Sequence, residues 1–309
     1  MKWKKKGLIF CADGISDQMI SHARIPVANH FQDDEFEIYF ASRDNSQRER
    51  IFKLRYDILK NKVLEVKVDP LLDYGDTLGA FDDNGICPCS IIDFKGEKRL
   101  YYAGWQKQVN TPFSCAVGLA VSKDNGKSFE KKYKGPVLDR DMNDFLFVAV
   151  NHVIYDEGVF KTWYLSCIDW KKTNTDIVHY YHINYAESLD GVKWNIKKGT
   201  NAITFKNQHE YAISTPRVIK DGPEDYKIWY SYRAQEDIET YRIGYAESKD
   251  GINWERMDEK MSSLDISQEG WDSEMICYPY VFDHKGERYM LYNGNGYGHT
   301  GFGLAKLEK

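Results

Sequence analysis

Gly244-Tyr245-Ala246-Glu247-Ser248-Lys249-Asp250-Gly251-Ile252-Asn253-Trp254 is the stretch from which the architecture of this 309-residue chain can be read. Its twin is Asn184-Tyr185-Ala186-Glu187-Ser188-Leu189-Asp190-Gly191-Val192-Lys193-Trp194. A looser copy runs from Gly118-Leu119-Ala120-Val121-Ser122 through Asp124, Gly126 and Phe129, and a truncated one, Gly303-Leu304-Ala305-Lys306, lies near the end. The alanines at 120, 186, 246 and 305 stand 66, 60 and 59 residues apart. A steady period of this kind marks a repeat architecture. Within each copy apolar and polar residues alternate, as in a half-buried strand. The Asp-Gly pair then supplies the positive φ angles of a tight hairpin. The Trp or Phe that follows starts a return strand and covers the apolar face.

Two more strand-like runs precede each hairpin. The innermost are residues 25–28, 87–93, 151–156, 214–221 and 278–283, and the second ones 36–40, 99–103, 161–165, 226–230 and 288–292. Four antiparallel strands in each of five repeats predict an all-β, five-bladed β-propeller. The repeats cover the whole chain, so a single domain over residues 1–309 is expected. The last repeat has only three strands, and Trp3-Lys4-Lys5-Lys6 has the look of its missing outer strand. The N-terminal strand is therefore expected to close the ring, which removes an exposed sheet edge. The Ser122-x-Asp124-x-Gly126-x-x-Phe129 spacing resembles the Asp-box hairpin of propeller proteins, and it is read as a fold staple without chemistry.

Composition excludes several classes. The net charge is −5, and no basic run is long enough to track phosphates, so nucleic acid is not an expected partner. No stretch is apolar enough to span a membrane, and Leu8-Ile9-Phe10-Cys11-Ala12 is too short for a signal-peptide core. The six scattered cysteines then read as reduced thiols of a cytoplasmic protein. Cys87-x-Cys89 lacks the spacing of a zinc knuckle and has no second pair, so no metal or other cofactor is expected. Oligomeric state leaves no mark in the sequence.

The connections between second and third strands, residues 42–50, 104–114, 167–182, 233–240 and 293–300, read as long loops on one face. Such loops on a rigid scaffold are where function concentrates. Acids recur on the approaches to the inner strands: Asp82 with Asp83 beside it, Asp144, Glu210 and Glu274, each five to seven residues before Pro88, Asn151, Pro216 or Pro279. The expectation is an acid-lined axial funnel with Asp82, Glu210 and Glu274 as catalytic groups. Asp82 is read as base and Glu210 as acid, with Glu274 tuning the acid or holding a hydroxyl. A pair roughly 6.5–9.5 Å apart would imply inversion, and crowding would raise the pKa of the acid. Arg24, Arg43, Arg217 and Arg233 are candidates to clamp an acidic or phosphorylated ligand. Trp105, Trp170, Tyr297 and His299, with His22 and Asn293, are candidate sugar contacts.

Several runs together carry a family likeness. They are Ser21-His22-Ala23 with Pro26, Gly79-Ala80-Phe81-Asp82 with Gly85 and Pro88, Tyr101-Tyr102-Ala103-Gly104-Trp105, Ile228-Trp229-Tyr230-Ser231-Tyr232-Arg233, Trp271-Asp272-Ser273-Glu274-Met275-Ile276-Cys277-Tyr278-Pro279, and Met290 to Gly298. With them the chain resembles the five-bladed propeller glycoside hydrolases of the arabinanase/levansucrase/invertase superfamily. It is most similar to an uncharacterised glycosidase-like branch met in bacterial surface-polysaccharide gene clusters. The resemblance implies an enzyme that cleaves or transfers a glycosyl unit. The alternative on the same scaffold is a non-catalytic module for a glycan or nucleotide-sugar. Characterised members of the superfamily place an Asp beside the first blade's proline and a Glu two residues before that of the third or fourth. Here Ile25 precedes Pro26 and Ser214 stands two before Pro216, so that triad is not carried over by register. A sialidase-like reading is disfavoured by the five repeats.

Overall fold

The computed structural model describes residues 1–173, 176–235 and 238–308. Among them the strands form five antiparallel groups of four, each a meander in chain order. β1 (Lys2–Phe10) belongs to the last group, and β2 (Asp13–Ser16) is a short hairpin partner ahead of the first. The first unit is β3 (Met19–Gln32), β4 (Glu35–Arg43), β5 (Glu49–Asp57) and β6 (Lys62–Val66). The second is β7 (Gly85–Phe94), β8 (Glu97–Lys107), β9 (Phe113–Ser122) and β10 (Glu130–Lys131). The third is β11 (Val148–Asp156), β12 (Val159–Lys172), β13 (Ile177–Ser188) and β14 (Ile196–Ile203). The fourth is β15 (Glu210–Gly222), β16 (Asp225–Ala234), β17 (Ile238–Ser248) and β18 (Glu255–Arg256). The fifth is β19 (Cys277–His284), β20 (Glu287–Asn293), β21 (Phe302–Glu308) and, last in space, β1. This is an all-β, propeller-type architecture.

The closing strand behaves as the missing outer run predicts. β1 pairs antiparallel with β21, Trp3 opposite Leu307. The Trp3 side chain is buried, edge-on to Trp229 with ring centroids 6.3 Å apart. The repeated alanines 120, 186, 246 and 305 sit on the third strands of units two to five and are fully buried. Beside the first three lie the Ser-x-Asp turns. Ser248 Oγ donates to Asp250 Oδ1 at 2.9 Å, and that oxygen also accepts the N–H groups of Ile252 and Asn253. Burial pushes the Asp250 carboxyl up, but the Asn253, Ile252 and Ser248 donors outweigh it and hold it at about 2. The turn's glycine carbonyl faces the preceding unit: Trp163 donates to Gly251 O at 2.7 Å and Tyr101 to Gly191 O at 2.9 Å. The motif is a staple between units.

The connections expected to be long loops are mostly strand. β8 runs on to Lys107 and β12 to Lys172, so Trp105 and Trp170 are cross-strand residues opposite Cys115 and His179. Extending the ladder satisfies backbone groups that a loop would leave to solvent. Residues 174–175 and 236–237, inside two of the expected loops, lie outside the described residues.

Each inner strand breaks its register at a corresponding place: between Arg24 and Val27, Pro88 and Ser90, Ala149 and Asn151, Ser214 and Arg217, and Cys277 and Tyr280. Four residues at these bulges, Ile25, Val150, Thr215 and Tyr278, take left-handed φ angles of 51°, 20°, 53° and 56°. Three of them are β-branched, for which that region is strained by roughly 1–2 kcal/mol each. Side chains hold the kinks in place. Asn293 Oδ1 accepts the Ile25 N–H at 2.8 Å, and Ser231 Oγ accepts that of Tyr278 at 2.7 Å.

Candidate active site

The five bulges meet around one cavity of about 400 Å³, a size suited to a small ligand. Ile25, Cys87, Val150, Thr215 and Tyr278 bring one residue from each unit to its wall. The ends of the second and third strands complete it with Arg43, Glu49, Trp105, Phe113, Tyr181 and Arg233. The cavity thus lies at the face that carries the second-to-third strand connections.

Glu49 is the one carboxylate among the described residues of this lining, and its side chain is 1% exposed. Arg43 Nε donates to its Oε1 at 2.9 Å, and Arg24 pairs with the same oxygen. Burial disfavours the ionised form, but Arg24 and Arg43 together outweigh it and hold Glu49 below the ordinary carboxylate range. Arg233 has no carboxylate partner among the described residues. It donates to Tyr297 Oη at 3.0 Å and lies against the Tyr211 and Tyr241 rings, 4.9 and 5.0 Å from their centroids. Its Nε and that of Arg24 are buried and reach no acceptor among the described residues. His179 is neutral at pH 7, because burial and then Arg233 push it down to about 4. With three guanidiniums and one carboxylate, the described residues of the wall carry two net positive charges at neutral pH. Tyr181 and Tyr241 share a hydrogen bond, and Tyr278 sits under Arg24.

The acids expected in the funnel are elsewhere. Asp82 accepts from Tyr102 at 3.3 Å and pairs with Lys131 at 2.7 Å. Asp144 accepts from Tyr164, Ser166 and Asn184 at 2.7, 2.6 and 2.9 Å, with Lys198 at 3.4 Å. Asp272 accepts from Tyr292 at 3.0 Å and pairs with Lys5 at 2.7 Å. Glu210 is gripped at both oxygens by Arg256, at 2.6 and 2.9 Å; the same arginine holds Asp258, which accepts from Tyr230. In three units the pattern is one device: an acid just before the first strand accepts from a tyrosine of the second and pairs with a lysine of the fourth. The fourth unit varies it, with Glu210 at the start of β15 on Arg256 and Tyr230 donating to Asp258 instead. Acid and tyrosine numbers differ by 20 each time: 82 and 102, 144 and 164, 210 and 230, 272 and 292. Asp82, Asp144 and Glu210, read as parts of a converging funnel, are each paired with a cation of their own unit, and the expected Asp82/Glu210 pair does not stand across the cavity. Glu274 is exposed, and its backbone carbonyl accepts from Thr240.

The other candidates divide. Arg24, Arg43, Trp105, Arg233 and Tyr297 are in the lining. Trp170 is not; it packs behind the wall on Phe113, Phe147 and His179. Asp83 accepts the Gly79 N–H and is outside. Asn293 is buried and clamps β3, through Ala23 O as well as Ile25 N. Arg217 lies deeper on the inner strands, on the Tyr280 ring and bonded to Val281 O and His152. His22 and His299 meet edge to face at 5.1 Å outside the lining. The sequence reading passed over Glu49, His179, Tyr181, Tyr241 and Tyr278. Glu49 had one available signal: it pairs with Arg43 across a hairpin, where a carboxylate opposite a guanidinium is a usual cross-strand couple. Among the described residues no group of three or more His, Cys, Asp or Glu could hold a metal, and no helix is long and apolar enough to cross a membrane.

No family model matches the chain. It is 38% identical over 309 residues, 100% of both chains, to the uncharacterized protein Rv1502 of Mycobacterium tuberculosis strain ATCC 25618 / H37Rv. The chain belongs to the Rv1502 family. The uncharacterized protein MT1551 of the CDC 1551 / Oshkosh strain matches equally, at 38% over the full length. Among solved structures, a glycoside hydrolase superposes on this Rv1502 relative with a TM-score of 0.72, at 18% identity over 98% of this chain and 91% of the other. A thermostable family-43 glycoside hydrolase gives 0.69 at 18% identity, over 94% and 90%. The endo-arabinase of Bacteroides thetaiotaomicron VPI-5482 gives 0.64 at 13% identity, over 98% of each chain. At such identities the likeness is one of fold.

Proposed function

We propose that the chain is a glycoside-hydrolase-type enzyme, a five-bladed propeller in one domain over residues 1–309. It takes one glycosyl unit into the axial cavity and cleaves or transfers it, with Glu49 as the reacting carboxylate. The observation that carries this is Glu49 itself. It is the one acid in the described lining, it is ionised, and two guanidiniums fix one of its oxygens. An ionised carboxylate at the anomeric carbon serves as base toward water or stabilises the oxocarbenium-like transition state. Trp105 and Tyr297 supply apolar faces for a sugar ring. The fold shared with glycoside hydrolases supports the reading by analogy.

Glycoside cleavage ordinarily uses two carboxylates, and the described lining holds one. That observation favours a second reading, a glycan or nucleotide-sugar binding propeller without turnover. A screen of aryl and natural glycosides, with and without inorganic phosphate, separates the two. The enzyme reading expects turnover that falls by about 10³-fold or more in Glu49→Gln, with the melting temperature measured alongside. Undiminished turnover in that variant refutes the role of Glu49, and ligand binding without turnover selects the second reading.

A further inference from the structure

Two properties of the cavity remain in tension with an ordinary glycoside. A neutral glycoside must have its leaving oxygen protonated, and the single carboxylate of the described lining is ionised and tied to two arginines. An oxocarbenium-like transition state also develops positive charge. Here it would develop beside the two net positive charges of the described lining. Both difficulties disappear if the leaving group is itself an anion. Phosphate departs without a proton, and its charge offsets the guanidiniums. Resting on the reading that Glu49 serves a glycosyl unit in this cavity, we propose that the substrate is a glycosyl phosphate, a sugar joined through its anomeric carbon to a phosphate group held by Arg24, Arg43 and Arg233.

The arginines fit this task. Guanidinium groups bind phosphate oxygens in a fork, with hydrogen bonds stronger than neutral ones. Among the described residues Arg233 pairs with no carboxylate, and the Nε atoms of Arg24 and Arg233 have no acceptor. Glu49 spans Arg24 and Arg43 and holds them side by side. The chemical step balances without a further reactant. The bond from the anomeric carbon to the phosphate oxygen breaks, and its electron pair stays with the phosphate. A water oxygen bonds to the carbon, and its proton passes to Glu49 and then to the released phosphate or to solvent. Free sugar and inorganic phosphate are the products. A second sugar hydroxyl in place of water gives transfer with the same balance.

Calorimetric titration of the full chain tests this with glucose, galactose and mannose 1-phosphates, UDP-glucose and GDP-mannose. The controls are the methyl glycosides, glucuronate, galacturonate and inorganic phosphate. At least one glycosyl phosphate is expected to bind about tenfold or more tighter than every control. Arg233→Gln is expected to erase that margin; it strands no carboxylate among the described residues, so its melting temperature should stay near that of the parent. Methyl glycosides binding as tightly overturn the proposal, although Glu49-dependent cleavage of them would leave the enzyme reading intact. Equal binding of uronates, equal binding of phosphate alone, or no binding by any glycosyl phosphate also overturns it. Tight, Arg233-dependent binding of a glycosyl phosphate without cleavage upholds the ligand class and removes the enzyme reading.

Discussion

Asp144 and Glu49 are both buried carboxylates paired with cations, and they sit in regions that use the pairing oppositely. Asp144 is enclosed by hydroxyl, amide and ammonium donors of its own unit, and Asp82 and Asp272 repeat its tyrosine and lysine partners. Glu49 has no counterpart; it lies on the cavity wall, and its two arginines face the same space. Charge that recurs from unit to unit is scaffold, because those units have the same strand-end problem to solve. Charge that occurs once is available to a ligand.

Deleting residues 1–7 should have the largest effect. It removes the buried Trp3 ring and strips Lys5 from Asp272. Loss of a core Trp and of one partner of a buried pair each cost about 3–5 kcal/mol, so the truncated chain should unfold in much less urea. Unchanged melting would show that the acid–tyrosine–lysine device in the fifth unit is dispensable. Next in size, Asp144→Ala should lose about 3–5 kcal/mol by equilibrium denaturation, since it leaves the buried Tyr164, Ser166 and Asn184 donors without their acceptor. A variant that kept its stability and lost only ligand binding would erase the distinction between the two regions.

Acid sharpens the comparison on the cavity side. Burial and Arg233 hold His179 down at about 4, whereas the unfolded chain takes up that proton near pH 6.5. Between those values the unfolded state binds more protons, so stability present above pH 6.5 falls as the pH drops toward 4. Thermal melts over that window should lose on the order of 2–3 kcal/mol from this group, and His179→Gln should flatten the slope. An unchanged slope in the variant would remove His179 as its source. Smallest of the four, Trp105→Ala should weaken sugar binding by about tenfold without unfolding the chain. Trp170→Ala, behind the wall, should cost stability more than affinity.

The repeat made the architecture legible. Alternation, Asp-Gly turns and the orphan run at Trp3 each pointed to the same strands, because period and turn chemistry are local properties. The site was legible only in part. Arg24, Arg43, Trp105, Arg233 and Tyr297 were found because they cluster near strand ends on one face. The acids misled because their regular spacing is produced equally well by a converging ring and by an internal strap. Spacing alone does not carry the tyrosine and cation that occupy them. Glu49 was hidden in the first unit, whose third strand lacks the Ala-Glu-Ser-x-Asp-Gly signature, and the bulges that turn Ile25 and Tyr278 to the axis are tertiary.

The pairing of β1 with β21 also sets a clock. β1 waits for β21, and at 5–20 residues per second the roughly 300 residues between them take roughly 15–60 s of synthesis. Until then Trp3 and the outer edge of β20 have no partner in the sheet, and the chain is open to proteases and to strands of neighbouring copies. Ribosome-bound chains halted before residue 302 should be cut readily near the N-terminus, and released full-length chains should not.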